Sequence, residues 1–319
     1  AERSKTYLQP HTPGSYYQRD FGNCSWCRSV EVSVINTKSI HKSSRECLRA
    51  FLCLIMFNRA YRLVNLLSLD VALGAMITAL FFSKQLLAAV RVYGIVVLGL
   101  TVWVIYTIDR LMDVRHLTEP AYSERHRFHQ KYSKPLRVAL AVAVLIVCAL
   151  MVFIRPSVIV GGLILAPVIL IYLLVQKKMP IKEFTVAVLY TLGVLLPAWP
   201  GSWQLIMPAS GLIAQLFLIA LTNLLLFAWF ECDVDSKMGQ ASLATRLGKK
   251  AVSTLLIILF VGGITLSFVG MISNPIGWIF LLMWFVLIGL FIFHSYFEQY
   301  ERYRLWGDAI FFLPLIGLV

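Results

Sequence analysis

"VYGIVVLGLTVWVIYTIDRLMDVRH", residues 92–116, decides the fold. Its first part is an apolar run of the length a membrane-crossing helix needs, about 20 residues. The run ends by presenting Asp109, Arg110 and Asp113. A second run, "GLIAQLFLIALTNLLLFAWFECDVDSKMG" (211–239), ends the same way in Glu231, Asp233 and Asp235. Carboxylates next to lipid are costly and mark function by default. Asp109 and Asp113 are four apart, and so are Glu231 and Asp235. At that spacing two helical side chains share a face, with Cβ atoms about 6 Å apart. Like charges so close call for a cationic companion, either neighbouring Arg110, Arg115 and Lys237 or a metal ion. Mg²⁺ is bound by one or two carboxylates plus substrate phosphates. Two acid pairs on one membrane side therefore suit ions that bridge a diphosphate. Asp233 points about 200° around the helix from Glu231 and is the weaker ligand.

Composition agrees with a membrane protein. The 319 residues are 59% hydrophobic and 14% charged, where a soluble chain carries about 25% charge. Hydropathy places nine spans near 63–82, 89–112, 136–154, 157–176, 183–200, 208–231, 251–272, 275–296 and 305–319. The net charge of +13 does not point to nucleic acid, because nearly all of it sits in alternate connections. By the positive-inside rule those connections, both acidic clusters and the N-terminus face the cytoplasm. The expected setting is a bacterial inner membrane, with an organelle membrane as the other host.

Residues 1–50 read as a polar, Ser-rich, flexible N-terminal tail, and 51–319 as the transmembrane domain. "CSWC" in the tail has the spacing of half a zinc knuckle, but Cys47 and Cys53 do not complete one. Cys148 is mid-span and is expected to pack as a small apolar residue. The longest connection, "VRHLTEPAYSERHRFHQKYSKP" (114–135), is suited to lying over the membrane face. Its His116, His126 and His129 are expected to be solvated rather than to bind metal. Gly239 and Gly248 read as helix-ending turns.

The connection "YLLVQKKMPIKE" (172–183) brings Lys177, Lys178 and Lys182 to the same side as the acids. A lysine there can take the departing charge of a diphosphate. Arg246 in "LATRLGKK" is a similar candidate, and either set also fits plain membrane topology. Tyr106, one turn before Arg110, is expected to line the same cavity as the acids.

With these residues in view, the chain resembles the UbiA superfamily of intramembrane prenyltransferases over about residues 58–319. That family has nine helices around a central cavity and aspartate-rich motifs after the second and sixth. "IYTIDRLMD" is similar to its NxxxDxxxD motif at Asp109 and Asp113, with Ile105 where the family has asparagine. "ECDVDSKMGQASLATRLG" is similar to its DxxxD motif, with Glu231 and Asp235 at the acid positions. "KKMPIKEFTVAVLYTLGVLLPAW" resembles its basic loop and fifth helix. The resemblance implies an all-α polytopic fold. It also implies Mg²⁺ held by Asp109, Asp113, Glu231 and Asp235, and transfer of an isoprenyl group from its diphosphate to a lipophilic acceptor. Lys177 and Lys178 would assist catalysis; Tyr106, Arg110, Lys182, Asp233 and Arg246 would contact the diphosphate or cavity. A terpene cyclase, or a non-catalytic lipid-binding subunit, are the competing readings on the same scaffold. Membrane lipids are the expected surroundings, and oligomeric state is left open.

Overall fold

The computed structural model describes residues 60–115, 123–176, 179 and 181–318. All lie in the second of two compact units, Met56–Val319. The first unit, with the expected tail and Cys24, Cys27, Cys47 and Cys53, lies outside the described residues, as do His116, Lys177 and Lys178.

The described chain is helical throughout. It runs α1 (Ala60–Leu66), α2 (Leu69–Gln85), α3 (Val92–Val114), α4 (Glu124–Lys131), α5 (Ser133–Leu150), α6 (Pro156–Val175) and α7 (Lys182–Leu195). Then follow α8 (Trp203–Ile206), α9 (Ser210–Met238), α10 (Leu243–Leu247), α11 (Lys249–Ser273), α12 (Trp278–Ile292), α13 (His294–Glu298) and α14 (Arg302–Ala309). A 3₁₀ segment, Ile310–Gly317, ends it. Among the described residues six helices are long and apolar enough to cross a membrane, or seven if α1 and α2 are one span. This is an all-α polytopic membrane protein.

Three of the nine expected spans differ. The first is bent by 84° between α1 and α2, where Ser68 takes a left-handed φ of 55° and the Asn65 amide bonds the Asp70 carboxylate. Polar side chains paired across the bend offset the helix bonds it gives up. The fifth, α7, has 14 residues, about 21 Å at 1.5 Å per residue, against a hydrocarbon core of about 30 Å. The ninth starts as α14 and continues as 3₁₀ helix around Pro314, whose ring nitrogen has no hydrogen to donate.

The core centres on α9. Its Leu216, Ile219, Leu225 and Leu226 are buried against Phe81 and Phe82 of α2 and Phe280, Met283 and Trp284 of α12. The Trp284 indole donates to Gln215 Oε1 at 2.7 Å, and Gln215 Nε2 donates to the Gly263 carbonyl at 3.1 Å. A Cβ on Gly263 would lie 2.1 Å from the Trp284 ring, so only glycine admits that packing. By contrast α5 and α6 turn Leu145, Leu163, Ile164 and Leu174 outward. That suits acyl chains, not water. Cys148 is exposed on this outer face rather than packed inside as its sequence context suggests.

Two local features position the acids. Gly239 caps α9 with a left-handed φ of 65°, and the Gln240 amide donates back to the Asp235 carbonyl at 2.8 Å. This stop holds Asp235 in the last turn and sends the chain into α10. Gly307 lies against α9: a Cβ there would meet Phe227 and Asn223 at 2.5 and 2.6 Å. Its bare backbone lets α14 approach α9 closely.

Candidate active site

The ends of α3, α6, α7 and α9 enclose a cavity of about 180 Å³ at one end of the bundle. Asp109, Asp113, Glu231, Asp235, Tyr106, Arg110 and Lys182 all line it. Both acid pairs thus face one space, from helices whose acids are more than 100 residues apart in the chain. Ile105 lines it as well, one turn before Asp109. The i, i+4 spacing of α3 is what brings the three to one face.

Each acid has partners. Asp109 Oδ1 accepts from the Gln176 amide, and its Oδ2 lies 3.6 Å from Arg110. Asp113 lies 3.9 Å from Arg110 and 3.4 Å from His126 Nε2. Glu231 is bonded from α14: Tyr303 Oη donates to Oε1 at 3.1 Å, and Arg304 Nη2 lies 2.6 Å from Oε2. Burial works against the Arg304 charge, but Glu231, Tyr303 and Glu301 outweigh it and raise its pKa. Glu183 is buried, and its Oε1 accepts the Leu243 amide at 2.9 Å, which ties α10 to α7 beside the cavity.

Asp233 and Arg246 are absent from the lining. Asp233 faces outward, as its angle on the helix requires, and pairs with Lys249 at 2.7 Å with its side chain 73% exposed. Arg246 is exposed on α10. His126 and His129 are buried, not solvated, because α4 packs down on α3. Burial lowers the His129 pKa to about 4 and lowers that of His126 too, although the Asp113 bond opposes the latter.

Several polar residues outside the sequence motifs prove central. Arg304, which in the sequence is one more loop cation, and Tyr303, which carries no motif, complete the acidic rim. Next to it, Asn65, Asp70, Arg125 and Asp308 form a buried cluster; Arg125 Nη2 donates to Asn65 at 3.3 Å and to Asp308 at 3.4 Å. Asp70 and Asp308 carried a readable signal, being carboxylates within the apolar stretches near 63–82 and 305–319.

The donor set fits Mg²⁺. Its members are carboxylate oxygens presented in pairs. Among the described residues no three His, Cys, Asp or Glu side chains converge to hold an ion by themselves. Mg²⁺ is the cation that completes such a shell with phosphate and water.

No family model and no curated protein matches the chain. Solved structures do. A UbiA homologue from Aeropyrum pernix K1 in its apo state aligns with 77% of this chain and 96% of its own, with TM-score 0.60 and 14% identity. A UbiA homologue from Archaeoglobus fulgidus, bound to DMAPP and Mg²⁺, aligns with 79% of this chain and 97% of its own, with TM-score 0.57 and 14% identity. The fold is therefore the UbiA fold, in a divergent sequence.

Proposed function

We propose that this protein is a Mg²⁺-dependent intramembrane prenyltransferase, moving an isoprenyl group from its diphosphate to an apolar or aromatic acceptor. One observation carries the reading: two acid pairs and three cations, Arg110, Lys182 and Arg304, line one cavity at the end of a UbiA-type bundle. The relative bound to DMAPP and Mg²⁺ supports the same ligand class.

Asp109 and Asp113 are the carboxylates that would hold Mg²⁺, with Glu231 and Asp235 completing the acidic rim. Bound there, the ion supplies Lewis-acid stabilisation of charge on the departing diphosphate. Lys182 and Arg304 add fixed positive charge where that negative charge develops, which is how preorganised groups lower a barrier. Lys177 and Lys178 belong to the same connection and are proposed to assist. Tyr106, Tyr172 and Phe227 line the cavity with aromatic surface and shield an allylic cation from water. The acceptor then attacks the allylic carbon as the C–O bond breaks, losing a proton, and diphosphate leaves toward the cytoplasmic face of a bacterial inner or organelle membrane.

Purified protein incubated with a radiolabelled prenyl diphosphate, Mg²⁺ and a lipid extract tests this directly. A labelled, acceptor-dependent lipid product is expected. A product formed without acceptor would make it a cyclase. The absence of any diphosphate release would leave a non-catalytic subunit, the reading that the apolar Ile105 in the cavity wall favours.

A further inference from the structure

The acidic pairs are not held alike. On α3, Arg110 stands 3.6 Å from Asp109 and 3.9 Å from Asp113, with its side chain 16% exposed. Those are long ion pairs, and the other contacts of these acids, Gln176 on Asp109 and His126 on Asp113, come from groups that carry no fixed charge. On α9, Glu231 has each oxygen engaged by α14, one by Tyr303 and the other by Arg304 at 2.6 Å. The Arg304 side chain is 3% exposed and has Glu301 at 3.7 Å on its other side. Its guanidinium carbon lies 6.0 Å from the Phe227 ring centre and 5.8 Å from that of Tyr303. Tyr303 in turn stacks on Phe230 at 4.3 Å. Gly307 holds the helix that carries both residues against α9.

An arginine on a loose, part-exposed contact can swing aside for an incoming ion. One walled in by rings and two carboxylates cannot, since stripping a buried charge of its partner is strongly unfavourable. Two-metal sites set their ions about 3.5–4 Å apart, so a fixed guanidinium on Glu231 occupies ground a second ion would need. Building on the prenyltransferase reading, we infer that the cavity takes a single Mg²⁺ ion, at the Asp109–Asp113 pair. Arg304 is the resident cation that fills the place of a second ion at Glu231. The diphosphate then meets one exchangeable and one built-in positive charge, and Glu231 serves to position Arg304.

Mn²⁺ in place of Mg²⁺ makes the ion count visible. The full chain is loaded with Mn²⁺ and geranyl S-thiolodiphosphate, separated from free metal, and measured by elemental analysis and electron paramagnetic resonance. About one Mn²⁺ per chain is expected, with a six-line spectrum free of Mn–Mn coupling. Glu231→Gln should keep that count, whereas Asp109→Asn should lose it. Arg304→Gln should admit a second, coupled ion, and Arg304→Lys should not. Two coupled ions in the unsubstituted protein overturn the inference and leave the prenyltransferase reading standing, and so does loss of the ion in Glu231→Gln. Failure of the unsubstituted protein to retain either Mn²⁺ or the analogue overturns both.

Discussion

Arg125 and Asp308 meet 3.4 Å apart inside the protein, 2% and 5% exposed, although 183 residues separate them. Arg125 enters from α4, so this contact fastens the connection after α3 to the start of the C-terminal segment. Arg125→Met would leave Asp70 and Asp308 buried without their shared cation. Breaking a buried pair in this way costs about 3–5 kcal/mol. A thermal melt of the detergent-solubilised protein, followed by tryptophan fluorescence, should show a large drop in Tm. An unchanged Tm would mean that α4 is not fastened there.

Asp109→Ala and Asp235→Ala should each reduce prenyl transfer to background while leaving membrane insertion intact. Each removes a carboxylate from the cavity wall, and with it charge that has to balance a cation. Turnover near the unsubstituted rate in either variant would remove that residue from the diphosphate site.

Ile105 shares the cavity face with Asp109 and offers no ligand atom. Ile105→Asn adds an amide oxygen one turn from the carboxylate. Calorimetric titration of Mg²⁺ in the presence of a non-hydrolysable prenyl diphosphate should show tighter binding than in the unsubstituted protein. Equal affinities would place the ion away from position 105.

Arg127 and Lys237 are exposed, one in the connection after α3 and one at the end of α9. Cysteines placed there, in a background without native cysteines, should react with an impermeant thiol reagent from the same side of the membrane. The nearby Ser123 and Ser242 are buried and would make poor probes. Reaction from opposite sides is incompatible with a shared cavity.

His129 provides a pH test. Its pKa falls from 6.5 to about 4, first through burial, while its Nδ1–H bond to the Arg125 carbonyl at 2.9 Å works the other way. The unfolded chain therefore binds the extra proton at a higher pH than the folded one. The contribution of this residue is intact above pH 6.5 and declines as pH falls from 6.5 toward about 4. His129→Gln should show a shallower loss of Tm across that window. Parallel slopes for the two proteins would assign the acid sensitivity to other groups.

What could be read along the chain was whatever repeats locally. Asp109 with Asp113 and Glu231 with Asp235 sit four apart at the ends of apolar runs, and that was enough to bring both pairs to one end of the bundle. The helix angle also marked Asp233 as the odd one out. Pairings across the chain left no such trace. Arg304 looked like one more positive charge on a loop, because nothing near it reports on Glu231. The bend at Ser68 and the shortness of α7 were hidden for a related reason: hydropathy counts apolar residues and is blind to how the backbone breaks. His126 and His129 misled because a run of charged residues reads as solvated, whereas α4 folds them onto α3.

The bond between Tyr303 and Glu231 joins residues 72 positions apart, which sets an order on biogenesis. Glu231 leaves the ribosome and enters the bilayer well before the residues that neutralise it have been made. A bare carboxylate in a membrane helix costs up to about 2.5–3.5 kcal/mol on insertion scales. α9 is therefore inserted before the α14 residues that neutralise it exist, and a chain that stalls or is cut before Tyr303 lacks both of these Glu231 partners. Half of the acidic rim is thus built early and neutralised late, by residues of α14.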